Sequence, residues 1–206
     1  REHDRHHPAK RHRPIASGRL PAGIALPVSA VLAVLALAGS LAAGGAAAAG
    51  ITAGYLAINT AYSLRLKAVP YIDILCIAAG FLLRVAAGAA AVRVPVSGWI
   101  LIITFVLAAY LGFGKRLHER LLPHDGADAS SRPALGGYRP RTLFFMLVIL
   151  EITLPFLFLA YTQSVPNHHR MVWSVPFLAG ALHRFFQICT DGKSWESPTD
   201  RMLADP

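Results

Sequence analysis

The stretch YIDILCIAAGFLLRVAAGAAAV, residues 71–92, decides the fold class. It is apolar from end to end apart from Asp73 near its start and Arg84 in its middle. A helix that crosses a hydrocarbon core of about 30 Å needs roughly 20 such residues, and this stretch supplies them. Outward from it, five further segments pass or nearly pass the same length test: Ala22–Ala43, Ala46–Ser63, Ser97–Gly114, Thr142–Tyr161 and Met171–Cys189. The composition agrees with lipid as the solvent, since the chain of 206 residues is 54% hydrophobic and only 15% charged. Its mean hydropathy is +0.47. A soluble domain carries about 25% charged residues. The expected architecture is an all-α, polytopic transmembrane helical bundle.

The bases are not spread evenly. Of 20 Lys and Arg against 11 Asp and Glu, most fall in Arg1–Arg19, Arg65–Lys67, Lys115–Arg141 and the tail with Lys193 and Arg201. The intervening connections hold Arg93, Arg170 or no base at all. Short loops rich in Lys and Arg stay cytoplasmic, so six spans place both ends of the chain and both basic loops on the cytoplasmic side. The sequence therefore divides as one integral membrane domain over 1–206, with a cytoplasmic Asp/basic motif at 1–20, a loop at 115–141 and a tail at 190–206. The expected location is the plasma membrane with the polar chemistry on its cytoplasmic face. The basic opening lacks the short apolar core and small-residue cleavage site of a signal peptide. The Ala/Gly run 42–50 reads as a turn with frayed helix ends between two closely packed spans. Cys76 and Cys189 both lie in apolar stretches and read as small buried residues.

Three groups of residues carry chemistry. The run Asp4-Arg-His-His-Pro-Ala-Lys-Arg-His-Arg-Pro-Ile-Ala-Ser-Gly18 sets one carboxylate shortly before Lys10, Arg11 and Arg13. A carboxylate holds Mg2+ and the bases pair with phosphate oxygens, so the mixture suits a metal-bound polyphosphate. A simple positive-inside flank would have the same charge. His3, His6, His7 and His12 lack a regular zinc-ligand spacing. The second group is YSLRLKAVPYID, residues 62–73, in which Pro70 separates two spans and so gathers Tyr62, Lys67 and Asp73 at one cytoplasmic end. Arg84 lies three turns deeper, about 16 Å along the helix. An ionisable group at that depth is a functional candidate by default, a structural partner for another helix being the competing explanation. In the third group, Glu151, mid-span, reads as an internal tie to Arg84 or Arg184, with His183 and Arg184 on the sixth segment.

With these residues quoted, the chain resembles the UbiA-type superfamily of intramembrane prenyltransferases, and within it the decaprenyl-phosphate phosphoribosyltransferase branch. The superfamily's first motif, N-D-x-x-D-x-x-x-D, continues in that branch as D-R-x-H-P-x-K-R-x-R-P-I-A-x-G, which Asp4 through Gly18 resembles closely. Tyr62, Lys67, Asp73 and Arg84 resemble its second motif, and Gly114-Lys115-Arg116 and Ser197-Pro-Thr-Asp200 are similar to further segments of the branch. The resemblance implies a bundle of nine spans, of which about six are present, so the chain reads as truncated at both ends, with two motif aspartates falling before residue 1. It implies Mg2+ held by Asp4 and Asp73, and phosphate contacts from Lys10, Arg11, Arg13, Lys67 and Arg84. Tyr62 would orient a phosphate or a bound water, with Asp73, Tyr62 and Lys67 at the reacting centre. The implied partners are phosphoribosyl diphosphate and a lipid-linked polyprenyl phosphate, and a homo-oligomer is compatible with the sequence. Two other readings stand beside it: prenyl transfer to an aromatic acceptor, and a non-catalytic transporter or scaffold. The H-P-x-K-R-x-R-P-I-A continuation favours phosphoribosyl transfer over prenyl transfer, and no internal inverted repeat supports a transporter. No nucleic-acid role is needed, because orientation and phosphate binding already explain where the bases sit.

Overall fold

The computed structural model describes residues 14, 17–19, 21–122, 133–165, 169–192 and 197–204, and among these every regular element is helical. Four helices are long and apolar enough to cross a membrane: Gly23–Leu64, Ile72–Ala91, Gly98–Leu121 and Pro140–Ser164. The first is two spans rather than one. The helical run Ala22–Leu64 leaves helical dihedrals at Gly45, with φ 68° and ψ −159°, a conformation that a residue without a Cβ adopts at little cost. The hydroxyl of Ser40 lies 2.8 Å from that of Thr52. In a straight helix, residues twelve apart would stand about 18 Å from each other. The run therefore folds back as a hairpin of α1 (residues 22–44) and α2 (residues 46–64). The expected frayed turn over 42–50 shrinks to this one residue, because alanine holds the helix on both sides of it.

After the 3-10 turn Leu66–Ala68 come α3 (Ile72–Ala91) and α4 (Gly98–Leu121). A short turn α5 (Pro133–Gly136), α6 (Pro140–Ser164), a 3-10 stretch His169–Ser174, α7 (Val175–Asp191) and α8 (Pro198–Ala204) complete the chain. The sixth expected span is thus split. Helix α7 has 17 residues, about 25 Å, and is not among the four helices long and apolar enough to cross a membrane. Gly192 ends α7 in the left-handed conformation (φ 59°, ψ 13°) that commonly closes helices. Helix α4 differs from expectation in the other direction. It continues two turns beyond Gly114, so Lys115, Arg116 and Glu119 stand on a helix and not in the loop assigned to 115–141. The run Lys-Arg-Leu-His-Glu-Arg-Leu consists mostly of good helix formers, and the stop comes at Leu122, whose extended backbone (φ −63°, ψ 140°) is what the following proline favours.

Packing is centred on α4, which touches α3 on one side and α6, α7 and α8 on the other, while the α1–α2 hairpin packs on α3. Two glycines allow the close approaches. A Cβ at Gly112 would stand 2.7 Å from Ile74 Cγ2, and one at Gly114 would stand 2.5 Å from the Phe185 ring. Small residues at crossings are how helices gain contact where lipid removes the hydrophobic drive between them. Around these crossings Ile74, Tyr110, Leu117, Leu143, Leu147 and Phe185 form the buried core. Tyr110 donates its hydroxyl to the Leu182 carbonyl at 2.7 Å, tying α4 to α7 without an unsatisfied polar atom. The opposite surface is inverted relative to a soluble protein, with Leu26, Val31, Leu32 and Leu35 of α1 all exposed. That face is suited to lipid.

Candidate functional site

The polar residues of the bundle converge where α3 begins, α4 ends and the chain enters α6. Asp73, in the first turn of α3, is 1% exposed. Its Oδ2 accepts a hydrogen bond from Nε of Arg116 at 2.8 Å and makes an ion-pair contact with Nη2 of the same guanidinium, also at 2.8 Å. Its Oδ1 accepts the backbone N–H of Ile74 at 2.8 Å and the hydroxyl of Tyr138. The position is favourable twice over, because a carboxylate at a helix N-terminus also meets the positive end of the helix dipole. Arg116, 7% exposed, gives Nη1 to Oε2 of Glu119 at 2.9 Å, one turn along α4. Tyr138 closes the ring of contacts: its oxygen accepts the N–H of Tyr71 at 2.9 Å, and its ring meets that of Tyr71 edge-on with centroids 4.9 Å apart. Tyr71 stands at φ 68°, an uncommon conformation for a residue with a side chain, and the phenol partner satisfies the donor exposed there. Burial, and then the hydrogen bond to Asp73, raise the Tyr138 phenol above its ordinary range.

A groove of about 260 Å³ runs from this cluster between α3 and α4. Ile77 and Phe81 line it from α3, Leu107 and Leu111 from α4, and its polar end is made by Lys115 and Arg116. An elongated apolar slot with two cations at one end can hold an amphiphile by its tail and its anionic head.

The sequence-predicted residues distribute around this centre unevenly. Asp73 is in it. Tyr62, half-buried on the last turn of α2, and Lys67, exposed on the 3-10 turn, lie at the same end of the bundle, but among the described residues neither joins the Asp73 network. Arg84 lies deeper on α3, where its Nε and Nη2 donate to the Tyr55 hydroxyl at 3.1 and 2.8 Å. Its guanidinium also covers the Tyr55 and Phe81 rings, at 5.1 and 4.9 Å from their centroids. Since Phe81 lines the groove, Arg84 sits beside it, away from Asp73. Asp4, Lys10, Arg11 and Arg13 fall outside the described residues. Glu151 does form a tie between helices, as expected. Its 2.9 Å partner is Nδ1 of His183 on α7, where Arg84 or Arg184 was expected.

The residues sequence reasoning passed over are Arg116, Glu119 and Tyr138. Arg116 falls within the quoted Gly-Lys-Arg segment but reads there as a loop base. Tyr138 gives no local signal at all, being 65 positions from the carboxylate it binds. As to a metal, Asp73 already accepts three hydrogen bonds and an ion-pair contact from Arg116 Nη2, and no three His, Cys, Asp or Glu side chains converge among the described residues. These residues by themselves do not fit a magnesium ion.

The model of the UbiA prenyltransferase family matches residues 1–197. A decaprenyl-phosphate phosphoribosyltransferase of Corynebacterium glutamicum is 38% identical over 92 residues, 45% of this chain and 27% of that protein. Proteins of the same name from Mycolicibacterium smegmatis and Mycobacterium tuberculosis are 36% and 35% identical, over 47% and 45% of this chain and 30% of their own length. The aligned stretch thus spans less than a third of each of these relatives.

Proposed function

Because the chain belongs to the UbiA prenyltransferase family, we propose that it is part of a membrane-embedded transferase that moves a 5-phosphoribosyl group from phosphoribosyl diphosphate to a polyprenyl phosphate. The observation that carries this reading is the groove between α3 and α4, mostly apolar along its length and ending at Lys115 and Arg116. A polyprenyl chain would lie along Phe81, Leu107 and Leu111, with its phosphate at the basic end. The named relatives support the choice of donor and acceptor.

In the reaction proposed, a phosphate oxygen of the lipid forms a bond to ribose C1 while the bond from C1 to the diphosphate breaks, and the diphosphate leaves with the electron pair. Fixed cations in a water-poor site stabilise such departing charge more than they would in water. Lys115 and Arg116 hold the acceptor, while Lys67, with Lys10, Arg11 and Arg13 of the opening motif, is proposed to meet the donor's phosphates. Tyr62, at the same end of the bundle, is proposed to orient them, and Arg84 to serve the far end of the groove. Magnesium is proposed as the donor's companion ion, and no step is assigned to a metal on Asp73. The basic loops support a cytoplasmic active face in the plasma membrane.

The test is an assay of membranes holding the full-length protein, supplied with magnesium, radiolabelled phosphoribosyl diphosphate and polyprenyl phosphate. Label entering the lipid fraction is the expected result. An aromatic prenyltransferase would leave that donor untouched and would instead consume a prenyl diphosphate.

A further inference from the structure

The family resemblance casts Asp73 as a metal ligand, yet the geometry gives it another task. A carboxylate offers about four lone-pair directions, and Asp73 accepts hydrogen bonds from Arg116 Nε, the Ile74 N–H and Tyr138, while Arg116 Nη2 stands in ion-pair contact with the oxygen that takes Nε. Arg116 is the opposite case. Of its five N–H donors, Nε goes to Asp73 and one on Nη1 to Glu119, Nη2 stands in ion-pair contact with Asp73, and among the described residues the Nη groups meet no further acceptor. Arg116 also lines the groove at its polar end, beside Lys115.

We propose that Asp73 is a positioning residue: with Glu119 and Tyr138 it fixes the plane of Arg116 so that the remaining Nη N–H groups meet the phosphate of the lipid acceptor in the α3–α4 groove. The inference rests on the reading that this groove takes a polyprenyl phosphate. Its physical basis is preorganisation. A guanidinium recognises phosphate through a planar fork, so its orientation matters as much as its charge. A free arginine side chain would have to be ordered on binding, whereas this one is already held on two sides by carboxylates. Tyr138 serves the same end from the far side of Asp73, being anchored by the Tyr71 N–H.

The experiment is run on the full-length protein in detergent, with three readouts. Binding of a tritiated polyprenyl monophosphate is measured in EDTA, binding of inorganic diphosphate is measured alongside it, and Mn2+ affinity is followed by electron paramagnetic resonance. The expected result for Asp73→Asn is a loss of about tenfold in lipid-phosphate affinity. Mn2+ and diphosphate affinities should stay at the wild-type values. Arg116→Gln should lose at least as much, and adding Asp73→Asn to it should change nothing further, because both act through one guanidinium. Tyr138→Phe keeps the ring packing, and should weaken the lipid phosphate by a smaller factor even if Asp73→Asn fails to fold. Unchanged lipid-phosphate affinity in Tyr138→Phe and Asp73→Asn, or a tenfold loss of Mn2+ affinity in Asp73→Asn, overturns the inference. A loss of diphosphate affinity in place of lipid-phosphate affinity also overturns it, by moving the anion to the donor. If the wild-type protein binds no lipid phosphate at all, the functional reading falls and this inference with it, which distinguishes the two failures.

Discussion

Arg116 and Asp73, 43 positions apart in sequence, meet through two 2.8 Å contacts that join the end of α4 to the start of α3. Their side chains are 9% and 2% exposed, so neither charge has water to fall back on. Removing one member of such a pair leaves the other buried and uncompensated, at a cost of about 3–5 kcal/mol. Arg116→Met strands Asp73 in this way. Asp73→Asn is milder, because Arg116 keeps Glu119 and an amide oxygen can still accept. Thermal aggregation followed by size-exclusion chromatography should rank wild type above Asp73→Asn above Arg116→Met, and the reverse order of the two variants would contradict the pairing.

The Tyr138 phenol gives a pH signature. Its folded-state pKa is raised, by burial first and then by the bond to Asp73, so the folded state holds its proton when the unfolded chain has lost it. The stabilisation is complete below the unfolded tyrosine value of about 10 and is lost progressively as pH rises above it. Alkaline unfolding of the wild type should therefore steepen above about pH 10. Tyr138→Phe should remove part of that dependence while losing the Tyr71 and Asp73 hydrogen bonds at neutral pH. Identical alkaline slopes for the two proteins would show that Tyr138 ionises as freely as an exposed tyrosine.

The hairpin at Gly45 is open to a direct distance test. With Cys76 and Cys189 replaced by alanine, Ser40→Cys and Thr52→Cys should cross-link on mild oxidation, since the hydroxyls they replace are 2.8 Å apart. A continuous helix would separate the two positions by about 18 Å and prevent the bond. Gly45→Ala forces a side chain into a conformation reserved for glycine, at about 1–3 kcal/mol, and should lower the yield of the cross-link.

These relationships mark how far the sequence could be read. Apolar length marked the long membrane-crossing helices, because lipid imposes that rule on any bundle. Asp73 was legible as an acid at the mouth of a span. Its partners were not, since Arg116 lies on a helix that outruns the apolar segment and Tyr138 arrives from beyond a long connection. Arg84 shows the complementary limit: its depth was legible, but its partnership with Tyr55 depends on how α2 leans on α3. Glu151 shows it again. An intramembrane acid predicts an internal partner, but only the facing of α6 and α7 selects His183.

The groove itself yields the last prediction. Leu111 lines it from α4, about one turn from Lys115, so a larger side chain there obstructs the place proposed for the lipid chain close to its phosphate. Leu111→Trp adds bulk without adding or removing charge, and the groove's 260 Å³ leaves room for the indole in place of a ligand. In steady-state assays the KM for polyprenyl phosphate should rise about tenfold, the loss of roughly 1.4 kcal/mol of binding that filling a pocket with the wrong group entails. The KM for the phosphoribosyl donor should not move, because the donor is proposed to meet cations outside the slot. A rise in the donor's KM with the lipid's unchanged would place the phosphoribosyl group in the groove and require the two substrates to exchange positions.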